Sequence, residues 1–172
     1  MNIRKGILVV FAGFVMLTSV QCRQCQKKTS CPIQIEENKA LVLRLVEQAW
    51  NKGDITVIDE LLSPDYVLHI AAPGARQDRE GYKEAVNMYH KVFPDFHFMI
   101  EDMVACGDKV VIRCKLTGTQ KGEFMGQVPT GKKVTLTVIS IRYIEDGMIM
   151  EEWVESDMMG MMRQLGAAPS PP

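Results

Sequence analysis

Gly147-Met-Ile-Met-Glu-Glu-Trp-Val-Glu-Ser-Asp157, followed at once by Met-Met-Gly-Met-Met-Arg-Gln-Leu-Gly166, stands near the end of the chain. Its first half alternates like a strand, so Ile149, Glu151, Trp153, Glu155 and Asp157 point to one side and Met148, Met150, Glu152, Val154 and Ser156 to the other. Trp153 and Asp157 then share a face. If that face is concave and apolar, desolvation favours the protonated acid and prepares Asp157 as a general acid or base. If it is solvated, Asp157 is the N-cap of the short helix that follows, and the two readings are compatible. Glu151 and Glu155 fall on the same face, so curvature or a bulge is expected to turn one of them away.

Working outward from this stretch, Glu145-Asp-Gly147 reads as a hairpin turn, and Val134 to Tyr143 as the strand before it. Further upstream, Val110, Ile112, Cys114 and Leu116 alternate with polar residues, as do Phe96, Phe98, Ile100 and Val104, with Gly107-Asp108 turning between them. The loop from Gly122 to Lys132 contains Pro129-Thr-Gly131. Before residue 95 the period is helical. Glu36 to Asn51 carries the stripe Val42, Leu45, Val46, Ala49 and Trp50 and ends at Gly53. Asp54 caps a second short helix, Ser63-Pro64-Asp65 breaks it, and Tyr66 to Ile70 is a strand. Asp78 caps a third helix, which runs to about Lys91 before Pro94 closes it. Helices followed by an antiparallel meander argue an α+β fold with three N-terminal helices laid on one face of a curved, mainly antiparallel sheet. Such a sheet encloses a cone-shaped cavity suited to a small molecule.

At 172 residues the chain suits one domain. Its formal charge of −1 and lack of a basic block argue against a nucleic-acid partner. Arg4 and Lys5 followed by the apolar Gly6 to Leu17 mark residues 1–21 as a signal peptide. Thr18-Ser-Val-Gln-Cys22 is a loose version of a bacterial lipoprotein box, which makes Cys22 the candidate lipidation site. Its departures are Gln21, where a small residue is expected, and Ser19, where Leu is commonest. The expected location is exported, as an envelope lipoprotein or a secreted protein, with membrane contact only through that anchor. A linker over 22–37, a domain over 38–166 and a disordered, Pro-rich tail over 167–172 complete the plan. Cys22-Arg-Gln-Cys25 lacks the context of a redox motif or a zinc site, Cys25 and Cys31 are free to pair with each other in an oxidising compartment, and Cys106 and Cys114 read as core residues that do not bridge.

A series of phrases resembles the polyketide-cyclase (SnoaL-like, or ester cyclase) family of the NTF2-like superfamily. They are Trp50-Asn-Lys-Gly-Asp54, Asp65-Tyr-Val-Leu-His69, Phe93-Pro-Asp-Phe-His97, Gly107-Asp-Lys-Val-Val111, Gly118-Thr-Gln-Lys-Gly122, Pro129-Thr-Gly-Lys132 and the closing run from Glu145 to Gly166. The resemblance covers roughly Asn38 to Gly166 and rests on the number and order of the phrases. It implies an α+β cone with a deep apolar pocket and no metal or organic cofactor. It also implies that the aspartate ending W-x-x-x-D, here Asp157, is the general acid/base of an intramolecular aldol ring closure.

His69, at a strand end beside a Pro/Gly loop, is the second catalytic candidate, weighed against a hydrogen-bonded structural histidine. Trp153, Trp50, Tyr66 and Tyr143 are the candidates for the substrate-binding wall. His97 and His90 read as surface, and no H-x-x-x-H or H-x-H pair offers a metal site. The methionines at 158, 159, 161 and 162 fit a lid, a homodimer surface or gap-filling core. Glu101 and Arg113 fit a solvated ion pair. The leading expectation is an exported protein that binds a small apolar carbonyl compound and acts on it as a cyclase, isomerase or hydrolase. The rival is a non-catalytic ligand-binding or scaffolding module of the cell envelope.

Overall fold

The computed structural model describes residues 32–70 and 78–167. The expected export segment, Cys22 as expected lipidation site, the expected pairing of Cys25 with Cys31 and the tail from 168 lie outside the described residues.

Pro32 opens α1 (Pro32–Arg44) ahead of the expected Glu36, at a position where its missing N–H costs nothing. The coil then widens into a π-helical segment, Leu45–Asn51, that carries Trp50. Gly53, at φ +71°, ends it with its N–H on Ala49 O. Asp54 accepts from the backbone N–H and hydroxyl of Thr56 and starts the short α2 (Val57–Leu61). There is no break at Pro64. The chain passes directly into β1 (Leu62–His69), whose register shifts between Leu62 and Val67 and so accommodates the proline. Asp78 accepts from Gly81 N–H at 2.7 Å and caps α3 (Arg79–Val92) as expected.

The meander is β2 (His97–Cys106), β3 (Lys109–Thr119), β4 (Lys133–Glu145) and β5 (Met148–Ser156), and α4 (Met158–Leu165) follows. The sheet order is β1-β5-β4-β3-β2, with only the β1–β5 pair parallel. Asp146 and Gly147 both take positive φ (49° and 76°), as a two-residue hairpin turn requires. Cys114 pairs with Ile100, because a bulge at Glu101 displaces the register, and Cys106 and Cys114 are both free thiols. Glu101 salt-bridges Arg113 and Lys115 on the outer face, which bears out the expected pair.

Helices α1 to α3 and the inner face of the curved sheet share one core, in which Val42, Leu45, Ile58, Val86, Val110, Ile112 and Leu136 are essentially inaccessible. On β4, burial alternates without a fault from Val134 to Ile144. That alternation drives Ser140 and Arg142 inward along with the aliphatics. The loop between β3 and β4 hangs on one fully buried residue, Gln120. Its amide donates to the carbonyls of Gly122, Gln127 and Val128 and accepts from the N–H and hydroxyl of Thr130. The result is a closed hairpin that presents Phe124 and Met125 to the cavity.

Candidate active site

One residue of β5 decides what faces inward. Tyr143 of β4 pairs with Glu151, but the next residue, Ile144, pairs with Ile149, so Met150 is inserted as a bulge. The insertion reverses the parity of everything after it. Ile149 is buried, and beyond the bulge Glu152, Val154 and Ser156 face the cavity while Glu151, Trp153, Glu155 and Asp157 face away. The expected turning away of an acidic residue therefore occurs, but it carries Trp153 and Asp157 with it.

The cavity holds about 740 Å³. Its walls are mostly aliphatic and aromatic. Leu116, Leu136, Val138 and Val154 come from the sheet, Trp50 and Phe98 from one end, and Ala85, Met88 and Tyr89 from α3. Trp50 packs within 5.5–5.8 Å of Tyr82, Tyr89, Phe96 and Phe98, which forms an aromatic floor.

Into this apolar wall the sheet sets one charged pair. Arg142 and Glu152 are directly opposed on β4 and β5, and Arg142 Nη2 lies 2.7 Å from Glu152 Oε1. Both residues are 2% exposed. Tyr66 Oη donates to Glu152 Oε2 at 3.1 Å, and Trp50 Nε1–H donates to Tyr82 Oη at 2.6 Å. Burial pulls the Arg142 guanidinium down, but the Glu152 charge and the nearby tyrosines outweigh it and hold the group above its ordinary value. Burial first, and the Glu152 charge second, push the Tyr66 and Tyr82 phenols well up, so both remain donors across the working pH range. Burial alone pushes Tyr89 up to about 12.

Arg142 Nε, Arg142 Nη1 and Ser140 Oγ have no hydrogen-bond partner among the described residues although all three are buried. An unmet buried donor costs about 1–3 kcal/mol, and more when charged. All three belong to Ser140 and Arg142, two inward residues of β4 that line the cavity.

Several expected site residues lie elsewhere. Asp157 is exposed, and its carboxylate accepts from Gly160 N–H at 2.9 Å as the N-cap of α4. His69 is on the outer face because it pairs in register with Trp153, and it stacks on that indole at 4.7 Å and 10°. Its Nε2 sits 2.9 Å from Glu151 Oε2. Trp153 is 39% exposed on the same face. Tyr143 pairs with Glu151 on the outer side as well. Trp50 lines the cavity, and Tyr66 reaches it through Glu152. His90, expected at the surface, is half-buried, with Nε2 2.8 Å from Trp50 O. His97 is exposed. In α4, Met158 lines the cavity, Met161 fills the core and Met159 points outward. Among the described residues no cluster of His, Cys, Asp and Glu could hold a metal ion, and no helix is long and apolar enough to cross a membrane.

Arg142, Glu152 and Ser140 are the residues that sequence reasoning passed over. A signal was available, since an arginine and a serine occupy inward positions of a strand whose other inward residues are Val134, Leu136, Val138 and Ile144.

The family model of SnoaL-like polyketide cyclases matches residues 40–165. The chain is similar to the solved structure of TsrD from Streptomyces laurentii, at 31% identity and a TM-score of 0.70 over 77% of this chain and 96% of that one. It is similar at 36% identity and a TM-score of 0.66 to IdmH from Streptomyces antibioticus, described as a candidate polyketide cyclase, over 75% of this chain and 98% of that one. A third likeness is to a candidate SnoaL-like polyketide cyclase from Jannaschia sp. CCS1, at 26% identity and a TM-score of 0.70 over 83% of this chain and 100% of that one. Comparison with curated proteins gives no match. With the curved sheet, the helix layer and the apolar cavity in place, the chain belongs to the SnoaL-like polyketide cyclase family, within the NTF2-like superfamily.

Proposed function

We propose that the protein is a cofactor-independent acid/base enzyme of the cyclase type, acting on a small, mostly apolar carbonyl compound held in the cavity. The observation that carries this reading is the set of unmet buried donors, Arg142 Nε, Arg142 Nη1 and Ser140 Oγ, beside the Glu152 carboxylate in an otherwise apolar wall. A carbonyl oxygen placed on those donors is polarised, and its conjugate enolate is stabilised more strongly than the carbonyl. That difference is what lowers a barrier, and one such donor is worth on the order of 10²–10³ in rate.

Glu152 is the base. Two of its roughly four lone-pair sites are taken by Arg142 and Tyr66, which leaves the others for a proton from the carbon next to the carbonyl. The enolate carbon then attacks a second carbonyl of the same folded molecule and forms the ring bond. The resulting alkoxide takes the proton back from Glu152, so no outside reagent is consumed. Family membership supports a cyclase, and the N-terminal segment supports action outside the cytoplasm, after export by residues 1–21 and retention through Cys22.

The test is exchange of the α-protons of a bicyclic apolar ketone, β-tetralone, in D₂O, followed by NMR. Wild type accelerates the exchange, and Glu152→Gln, which keeps the shape of the side chain, lowers the enzymic rate by about 10² or more with binding retained. Equal rates in the two proteins would remove the catalytic role. One observation favours a second reading as a ligand-binding module: both Glu152 oxygens are already engaged, as in a pair that only orients Arg142. In that case β-tetralone binds and no exchange is accelerated.

A further inference from the structure

A buried hydroxyl that already accepts one hydrogen bond still has its own proton to place. Two tyrosines, Tyr66 and Tyr82, meet edge to face beside the Arg142–Glu152 pair, with ring centroids 5.7 Å apart. Tyr66 spends its proton on Glu152. Tyr82 is placed differently. The indole Nε1–H of Trp50 is a donor only, so at 2.6 Å Tyr82 Oη must be the acceptor, and its own hydrogen points elsewhere. Tyr82 is 3% exposed and lines the cavity. The charged groups close enough to act on it are Glu152 and Arg142. Arg142 has donors alone, and the Glu152 oxygens bond Arg142 and Tyr66. Among the described residues nothing accepts the Tyr82 hydrogen.

The fold fixes this arrangement through Trp50. The π-helical segment sets the Trp50 carbonyl 2.8 Å from His90 Nε2 and the indole on Tyr82, and both of those partners belong to α3. A carbonyl only accepts, so His90 Nε2 carries its hydrogen. Tyr89, Phe96 and Phe98 close around the indole. Clamped in this way, Trp50 keeps one side of Tyr82 Oη occupied and leaves the hydroxyl proton for a group within the cavity.

We infer that Tyr82 is a second oxygen seat of the cavity, a catalytic residue whose open O–H is aimed by Trp50 at the carbonyl under attack. The inference rests on the acid/base reading of Glu152 and Arg142 and supplies its second step. Arg142 and Ser140 hold the oxygen of the carbonyl that loses the α-proton. The enolate carbon then forms its bond to the second carbonyl carbon, whose π pair moves onto oxygen. The Tyr82 O–H steadies that alkoxide until the proton returns from Glu152. Tyr82 keeps its own proton throughout, since burial holds the phenol well above its ordinary value. A simple ketone uses the first seat alone, whereas ring closure needs both.

The probe is β-tetralone with a 3-oxobutyl arm on the carbon between its carbonyl and its benzene ring, so that the methyl group of the arm can close a ring on the tetralone carbonyl. Both carbonyl carbons carry ¹³C, and Glu152→Gln stops turnover. Binding then moves both resonances downfield, and adding Tyr82→Phe returns one of them towards its free position while the other stays moved. With Glu152 intact, Tyr82→Phe lowers the ratio of ring closure to α-proton exchange by about 10²–10³. Trp50→Phe keeps the phenol but lets it turn, and lowers the same ratio at least roughly tenfold. Circular dichroism follows the fold of each variant. A ratio unchanged in both variants would overturn the role of Tyr82 and leave Glu152 and Arg142 in place. So would a wild type that exchanges α-protons and closes no ring, or a second carbonyl resonance indifferent to Tyr82→Phe. Two unmoved carbonyl resonances would overturn the Arg142 seat and this inference with it.

Discussion

Glu152 and Arg142 occupy a place where an isolated charge is very expensive, and each is tolerated because the other is 2.7 Å away. Removing one partner of such a buried pair costs about 3–5 kcal/mol, whereas replacing both by apolar residues of similar volume is often neutral. This separates stability from function. Glu152→Ala lowers the unfolding free energy in urea by roughly that amount, while Arg142→Met combined with Glu152→Leu returns it to within about 1 kcal/mol of wild type. The double variant nonetheless neither binds β-tetralone with its oxygen fixed nor accelerates its exchange. A double variant with full exchange activity would show that the pair is only structural.

Asp157 provides the opposite case at the same scale. Its carboxylate accepts the Gly160 N–H and caps α4 from outside the cavity. Asp157→Ala destabilises the protein by about 1 kcal/mol, Asp157→Asn by less, and neither changes the exchange rate, as thermal melts and the deuterium assay check. The N-cap role was legible from sequence, because an aspartate ahead of a short helix has a local partner by geometry. The inward orientation was not legible. It depended on counting pleats across a bulge whose inserted residue, Met150, carries no mark in its own side chain.

At the scale of elements, a single inserted residue in β5 reassigns the inner face and so selects Glu152 over Asp157 as the cavity carboxylate. Strand β4 contains no insertion, so its alternation could be read directly from sequence, Arg142 and Ser140 included. The same contrast holds in β2, where the bulge at Glu101 moved the partner of Cys114 by one residue. The turn between α3 and β2 is tied to the end of β3 by Asp95, whose carboxylate accepts the hydroxyl and the backbone N–H of Thr119. Those bonds hold the Asp95 carboxyl below the usual carboxylate range. Because the folded value lies below the unfolded one, the stabilisation is present above the ordinary aspartate range and is lost as pH falls through the lowered folded value. A series of melting temperatures from neutral pH downward therefore falls less steeply with acid in Asp95→Asn than in wild type. Parallel acid limbs would contradict the link.

For the whole molecule, the order of helices and strands and the family phrases were enough to specify an α+β cone, and a sheet curved over three helices follows from the period change near residue 95. The position of the functional centre in that cone is a long-range property. Glu152, Tyr66 and Arg142 meet only because β1 and β4 flank β5 in the sheet, and the parallel β1–β5 pair has no local signature. The stacking of His69 on Trp153 on the outer face is likewise visible only once the register is known.

The account stands on Arg142 as the seat of the ligand's oxygen. Titrating β-tetralone into the labelled protein while following the side-chain Nε–Hε resonance of Arg142 measures that contact itself. A saturable downfield shift of that resonance is the result the account predicts. An unmoved Arg142 resonance, with shifts confined to Trp153, His69 and Asp157, would contradict it.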